Sequence, residues 1–192
     1  MELHIIRHGK TMANEQRLYC GQTDLPLSDN GTAELVKLKN QGIYPKSASL
    51  YITSGLLRTQ QTLRLLYGSV QSEIIPQLME YQFGSFEMKS HDQLDGQADY
   101  QAWIDDAVGH FACPGGESKQ DFNLRADEGS KLLLSKAQQG VSVLAVLHGG
   151  VIAFIMEHLF PDKYNFYEWQ PAPGRGYSLT CAPDGSMQFL KI

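Results

Sequence analysis

The chain has 192 residues, enough for one generous domain and too few for two ordinary ones. With 42% apolar and 19% charged residues it sits near the globular average, which excludes disorder and fibrous repeats. Sixteen Lys plus Arg against 21 Asp plus Glu leave a formal charge of −5 at pH 7, the wrong field for a nucleic-acid surface, although a few clustered cations still receive a small anion.

In chain order, Leu3–Arg7 reads as a first strand and Ser28–Gln41 as a helix ended by Gly42. Leu50–Thr53 is a second strand. It runs into a helix over Ser54–Tyr67, whose Leu56, Leu63, Leu66 and Tyr67 share one face. Glu73–Ile75 is a short strand stopped by Pro76. The stretch Asp92–Val108 predicts short helices with Tyr100, Trp103 and Ile104 as core contacts. After Pro114-Gly115-Gly116 comes a helix from about Glu117 to Gln139, with Phe122, Ala126, Leu133 and Ala137 as its buried stripe. Ser142–Leu147, a continuous apolar run, predicts a strand covered on both faces. Val151–Leu159 is a helix closed by Pro161. Tyr177–Cys181 and Met187–Lys191, flanking Pro183-Asp184-Gly185, read as a terminal hairpin. The expected fold is α/β: one three-layer domain over residues 1–192, a mostly parallel central sheet flanked by helices, with a terminal β-hairpin.

No stretch approaches the roughly 20 apolar residues of a membrane helix. The amino end lacks a basic region followed by a long apolar one, so no secretory signal is expected. Cys20, Cys113 and Cys181 are odd in number and widely spaced, without a C-x-x-C pair. That usage fits a reduced, cytoplasmic protein better than a disulfide framework or a structural zinc site.

In parallel sheets ligands bind beyond the carboxyl ends of the strands. The three candidate ends here read Ile6-Arg7-His8-Gly9-Lys10-Thr11, Thr53-Ser54-Gly55-Leu56-Leu57-Arg58-Thr59 and Leu147-His148-Gly149-Gly150. Each delivers an arginine, a histidine or both, with glycine nearby and a following helix that offers free N–H groups. Two guanidinium groups, two imidazoles and helix amino termini make a receptor for a compact dianion, phosphate above all. A neutral imidazole is also a nucleophile, and Arg7 and Arg58 disfavour the imidazolium form of His8. A leaving alkoxide needs a proton, which Glu80, set among Leu78, Tyr81, Phe83 and Phe86, is placed to supply; Glu87, seven residues on, is the competing acid.

These motifs resemble those of the histidine phosphatase superfamily, in its phosphoglycerate-mutase-like branch. Arg7-His8-Gly9-x-Thr11 with Asn14 resembles the signature whose histidine becomes phosphorylated. Thr53-Ser54-x-Leu56-x-Arg58-Thr59-x-x-Thr62 is similar to the second arginine motif, Glu80-x-x-Phe83-Gly84-x-x-Glu87 to the acid segment, and Leu147-His148-Gly149-Gly150 to the second histidine motif. Four motifs in the right order are a specific signal where a lone R-H-G is not. The resemblance implies that His8 is the nucleophile, that Arg7, Asn14, Arg58 and His148 hold the phosphoryl group, and that Glu80 is the proton donor. It implies no cofactor and no metal.

Within the branch, Tyr19–Ser28 and Pro114-Gly115-Gly116-Glu117-Ser118 resemble the α-ribazole-phosphate phosphatases of cobalamin assembly. Lys10, Gly21, Gln22 and Thr23 are candidates for the substrate pocket, with Lys10 placed either on the anion or in solvent. Lys10 and Met88 depart from the family, which usually has Glu or Gln at the first position and Gly at the second. The chain looks too short for the added segments of glycolytic mutases, so the expected activity is metal-independent hydrolysis of a small phosphate monoester. Phosphoryl transfer of the mutase type and a non-catalytic phospho-ligand module are the alternatives. Metal-assisted hydrolysis is disfavoured because adjacent arginines repel a cation. The expected partner is a small phosphorylated substrate, with neither nucleic acid nor membrane, for a monomer or homodimer.

Overall fold

The computed structural model describes residues 1–138, 140–182 and 186–192. Its strands are β1 (Glu2–Arg7), β2 (Leu50–Thr53), β3 (Glu73–Ile74), β4 (Ser142–Leu147), β5 (Gly176–Cys181) and β6 (Met187–Lys191). The helices are α1 (Met12–Glu15), α2 (Asp29–Asn40), α3 (Leu57–Tyr67), α4 (His91–Leu94), α5 (Ala98–Asp105), α6 (Lys119–Ala137), α7 (Gly149–Leu159) and α8 (Phe166–Trp169). The sheet order is β3-β2-β4-β1-β5-β6. The first four strands in that order are parallel, and β5 and β6 add an antiparallel edge.

Side-chain alternation along β1 and β4 feeds two cores. Leu3, Ile5, Val143, Ala145 and Leu147 join one cluster with residues of α6 and α7. Ile6, Leu144 and Val146 join the other with Leu63 and Leu66 of α3. β4 is therefore apolar throughout because both its faces are covered. The parallel strands β1, β2 and β4 end together at one edge, where α1, α3 and α7 follow.

Several boundaries differ from the sequence expectation, each for a local reason. Ser28 caps α2 rather than joining it, its Oγ accepting from Gly31 N at 2.9 Å. α3 begins at Leu57, not Ser54, because Gly55 takes φ 96° and the Ser54 side chain is engaged elsewhere. α6 starts after a capping box between Ser118 and Asp121 and runs to Ala137; Gln139, the expected end, lies outside the described residues. α7 begins two residues early, at Gly149, with His148 as its N-cap. Ile104, expected in the core, is 40% exposed, while Tyr100 is fully buried. The Pro183-Asp184-Gly185 turn lies outside the described residues, but the two strands it joins pair as expected. Met88 holds φ 60°, so the chain keeps there the left-handed conformation that suits glycine.

The carboxyl-terminal aromatic group divides by role. Trp169 is fully buried, packed on Phe160, Tyr164, Tyr177 and Phe189, whereas Tyr167 is 81% exposed. The Trp169→Ala variant is therefore expected to lose about 3–5 kcal/mol of stability, read as a lower urea midpoint.

Candidate active site

His8 leaves the end of β1 and is buried. Its Nδ1 donates to Gly9 O at 2.7 Å, since a carbonyl only accepts. That bond fixes the neutral tautomer and leaves the lone pair on Nε2. Arg58, in the first turn of α3, donates from Nε to His8 Nε2 at 3.2 Å. Arg58 is itself 1% exposed. Its Nη1 donates to Thr23 O at 3.0 Å and its Nη2 to Gly21 O. Thr62, one turn further on, accepts from Gly9 N at 3.0 Å and so ties α3 to the segment after β1.

His148 caps α7, and its ring centroid lies 5.2 Å from that of His8 at an interplanar angle of 64°. Its Nε2 is hydrogen-bonded to Ser54 Oγ at 2.8 Å. Among the described residues, three buried side-chain polar atoms have no hydrogen-bond partner. Two of them, Arg7 Nε and His148 Nδ1, belong to this cluster; the third, Trp169 Nε1, lies among the carboxyl-terminal aromatics. Arg7 is half-buried and donates from Nη1 to Pro171 O at 2.8 Å.

Glu80 follows the short 3-10 turn Pro76–Leu78. Its Oε1 accepts from Tyr81 N at 3.0 Å and its Oε2 from Gly150 N, in the first turn of α7, at 2.9 Å. The paired glycines after His148 exist for close approach. A Cβ on Gly149 would stand 3.0 Å from Arg7 Cζ, and one on Gly150 would stand 2.5 Å from Glu80 Oε1. Arg125 of α6 holds the acid segment from behind, donating to Gln77 O at 2.9 Å, Met79 O at 2.8 Å and Glu80 O at 3.2 Å while paired with Glu117.

The remaining expected residues lie as follows. Asn14 is the third residue of α1 and its Oδ1 accepts from Thr11 N at 2.9 Å, so only its Nδ2 is left for an anion. Lys10 is turned to α2, where it pairs with Glu34 at 2.7 Å. Gly21, Gln22 and Thr23 form the turn that grips Arg58, and Gln22 Nε2 reaches Glu80 O at 3.4 Å. The structure thus brings Arg7, His8, Arg58, Glu80 and His148 together. Glu87 faces the 21–23 turn instead, accepting backbone N–H groups there. Sequence reasoning assigned no role to Ser54, although it stands inside the arginine motif. Arg125 left no signal at all, because its partners are backbone carbonyls 45 to 48 positions away.

Charge organises the cluster. Burial, then Arg58 and Arg7, push the His8 pKa well below 6.5, against the opposing Gly9 bond. Burial and then Arg58, His8, Arg7 and Arg125 do the same to His148. Both rings are therefore neutral at pH 7. Among the described residues no group of three or more His, Cys, Asp and Glu is placed to hold a metal ion.

The histidine phosphatase superfamily (branch 1) model matches residues 3–186. The chain belongs to this superfamily. The chain is 35% identical over 163 residues to the adenosylcobalamin/α-ribazole phosphatase of Escherichia coli K12, covering 83% of this chain and 79% of that one. It is 30% identical over 175 residues to 2,3-bisphosphoglycerate-dependent phosphoglycerate mutase 2 of Gloeobacter violaceus, with 84% and 78% covered. Its fold superposes on the α-ribazole phosphatase of Shigella flexneri with a TM-score of 0.80 at 28% identity, covering 99% of this chain and 96% of that one. The chain is accordingly an enzyme of the phosphatase class. No described helix is long and apolar enough to cross a membrane.

Two outcomes follow from this geometry. A Gly150→Ala variant is expected to stay folded yet lose on the order of 100-fold in turnover, because its Cβ displaces Glu80; circular dichroism and steady-state kinetics check both halves. Stability is expected to fall as pH drops below 6.5. There the unfolded chain binds protons at positions 8 and 148 that the folded chain refuses, costing up to about 1.4 kcal/mol per pH unit per ring. Urea unfolding of wild type and His148→Gln at pH 7.5 and 5.5 measures the difference.

Proposed function

We propose that the chain hydrolyses the phosphate ester of a small metabolite through a phosphohistidine at His8, without a metal. The observation that carries this reading is the pair of unpartnered buried groups, Arg7 Nε and His148 Nδ1, beside a neutral His8 whose lone pair is on Nε2. Buried polar atoms ordinarily find partners, so two neighbouring side chains with unpartnered polar atoms, one of them a guanidinium, call for an anion.

In the reaction, His8 Nε2 attacks phosphorus as the P–O ester bond breaks, and the departing alkoxide takes the proton of Glu80. Water then gives a proton back to the Glu80 carboxylate while its oxygen attacks phosphorus. The P–N bond breaks, its electron pair returns to Nε2, and inorganic phosphate leaves. Arg7, Arg58, His148 and the Asn14 Nδ2 hold the equatorial oxygens. An arriving phosphoryl oxygen takes over the Arg58 Nε–H, so the same event that binds substrate uncovers the nucleophile.

Hydrolysis is favoured over mutase-type transfer by the cations nearby. A mutase must also hold the carboxylate of its substrate and the second phosphate of the bisphosphorylated intermediate, yet Lys10 is committed to Glu34, and Arg125 to Glu117 and three carbonyls. The names of the Escherichia coli and Shigella relatives support α-ribazole phosphate, an intermediate of cobalamin assembly, as the substrate. Three unpaired cysteines support a cytoplasmic setting, and the acidic balance weighs against a nucleic-acid partner.

A rapid quench of wild type with a chromogenic phosphate ester should trap acid-labile, base-stable phosphate on His8. His8→Ala should lose at least about 1000-fold in kcat and Arg58→Ala about 100- to 1000-fold. Turnover retained by His8→Ala, or abolished by chelation, overturns the mechanism. A panel of phosphorylated metabolites, with α-ribazole phosphate and 3-phosphoglycerate among them, ranks the substrates by kcat/KM.

A further inference from the structure

Glu87 takes no part in the chemistry above, yet its carboxylate gathers a whole turn of backbone. Gly21 N donates to both of its oxygens at 3.0 Å, Gln22 N to Oε1 at 3.0 Å, and Thr23 N to Oε2 at 3.4 Å. Phe83 N, from Glu87's own segment, adds a bond at 3.3 Å. Consecutive N–H groups converging in this way make a concavity for an anion, and here the chain supplies the anion itself.

The consequence lies on the other side of the turn. With the three N–H groups drawn onto Glu87, the carbonyls of Gly21 and Thr23 accept from Arg58 Nη2 and Nη1. Arg58 has five N–H groups. Those two bonds anchor its far end, the Nε–H rests on His8 Nε2, and two N–H groups have no protein acceptor among the described residues. A guanidinium held at two points presents its remaining donors in one fixed direction, which an unanchored side chain with four rotatable bonds does not.

We propose that Glu87 is a positioning residue: its carboxylate shapes the 21–23 turn into a clamp for Arg58, and through Arg58 it governs the His8 lone pair and the alignment of the phosphoryl group. The kinetic part rests on the function proposed above, while the effect on His8 is a property of the free enzyme. It also separates the two acids of the segment by role, with Glu80 against the first turn of α7 and Glu87 beneath the guanidinium.

The test is Glu87→Gln, which keeps the shape and one acceptor oxygen but turns the other site into a donor facing N–H groups. Two readouts are taken on protein shown to be folded by its thermal transition. The His8 imidazole, whose neighbours are Arg58, Arg7, Gly9 O and the His148 ring, is titrated by 15N–1H NMR without substrate; it should titrate at higher pH than in wild type as the guanidinium loosens. With a chromogenic ester, kcat should fall about 10- to 100-fold. Adding Arg58→Ala closes a double-mutant cycle, in which Glu87→Gln should have no further effect on His8. A lower thermal transition with unchanged His8 titration and kcat, or an undiminished effect in the Arg58→Ala background, overturns the proposal. Glu87→Asp, measured in the same way, serves if Glu87→Gln fails to fold. Because the titration needs no turnover, an enzyme inactive on esters leaves the Glu87 result readable.

Discussion

The site depends on positive charge gathered without enough negative charge to match it. Arg58 is buried, Arg7 Nε is buried, and two imidazoles sit beside them, while Glu80 is the carboxylate among them. Burial, partly opposed by Glu80, lowers the Arg7 pKa, and the Arg58 charge adds to that depression. Removing cations from water is costly unless something satisfies their donors. Here backbone carbonyls do part of the work: Pro171 for Arg7, and Gly21 and Thr23 for Arg58. What carbonyls supply is dipole, not charge, so the deficit of negative charge persists.

Neutral histidines are the second consequence of the same field. An imidazolium at position 8 would lack a lone pair, and burial next to two guanidinium groups excludes that form near pH 7. The Gly9 carbonyl then selects which nitrogen keeps the proton. The free lone pair on Nε2 thus arises from location rather than from a dedicated base. The arrangement works against stability in acid, because the unfolded chain binds protons that the folded chain refuses.

The framework absorbs this cost through rigid placement. Three strand ends at one edge of the sheet supply Arg7, His8, Arg58 and His148, each within a few residues of a hydrogen-bonded strand. Glu80 arrives from outside the sheet and is held by α6 through Arg125 and by α7 through Gly150 N. A second layer, Thr62 on Gly9, Ser54 on His148 and Glu87 under the 21–23 turn, connects these pieces to one another.

Much of this was legible in the order of residues. Alternating strands and helices implied the parallel sheet, and β4 was readable because a strand covered on both faces is apolar throughout. The motifs at the strand ends marked Arg7, His8, Arg58 and His148, and the structure brings these four together at one edge of the sheet. Less legible were features that depend on what approaches from elsewhere in the chain. Ser54 left the expected helix because its hydroxyl meets His148, 94 positions away. Lys10 pairs with Glu34 of α2, which lies within reach. Ile104 is exposed because α5 turns it outward.

Local sequence therefore determined which groups this protein carries and which elements carry them, since periodicity, caps and strand-end motifs act over a few residues. Tertiary structure alone decided the division between two glutamates seven positions apart: one meets an amide of α7, the other three amides of the 21–23 turn. Their local sequences do not encode that difference, because what a carboxylate does is set by the donors the fold brings to it.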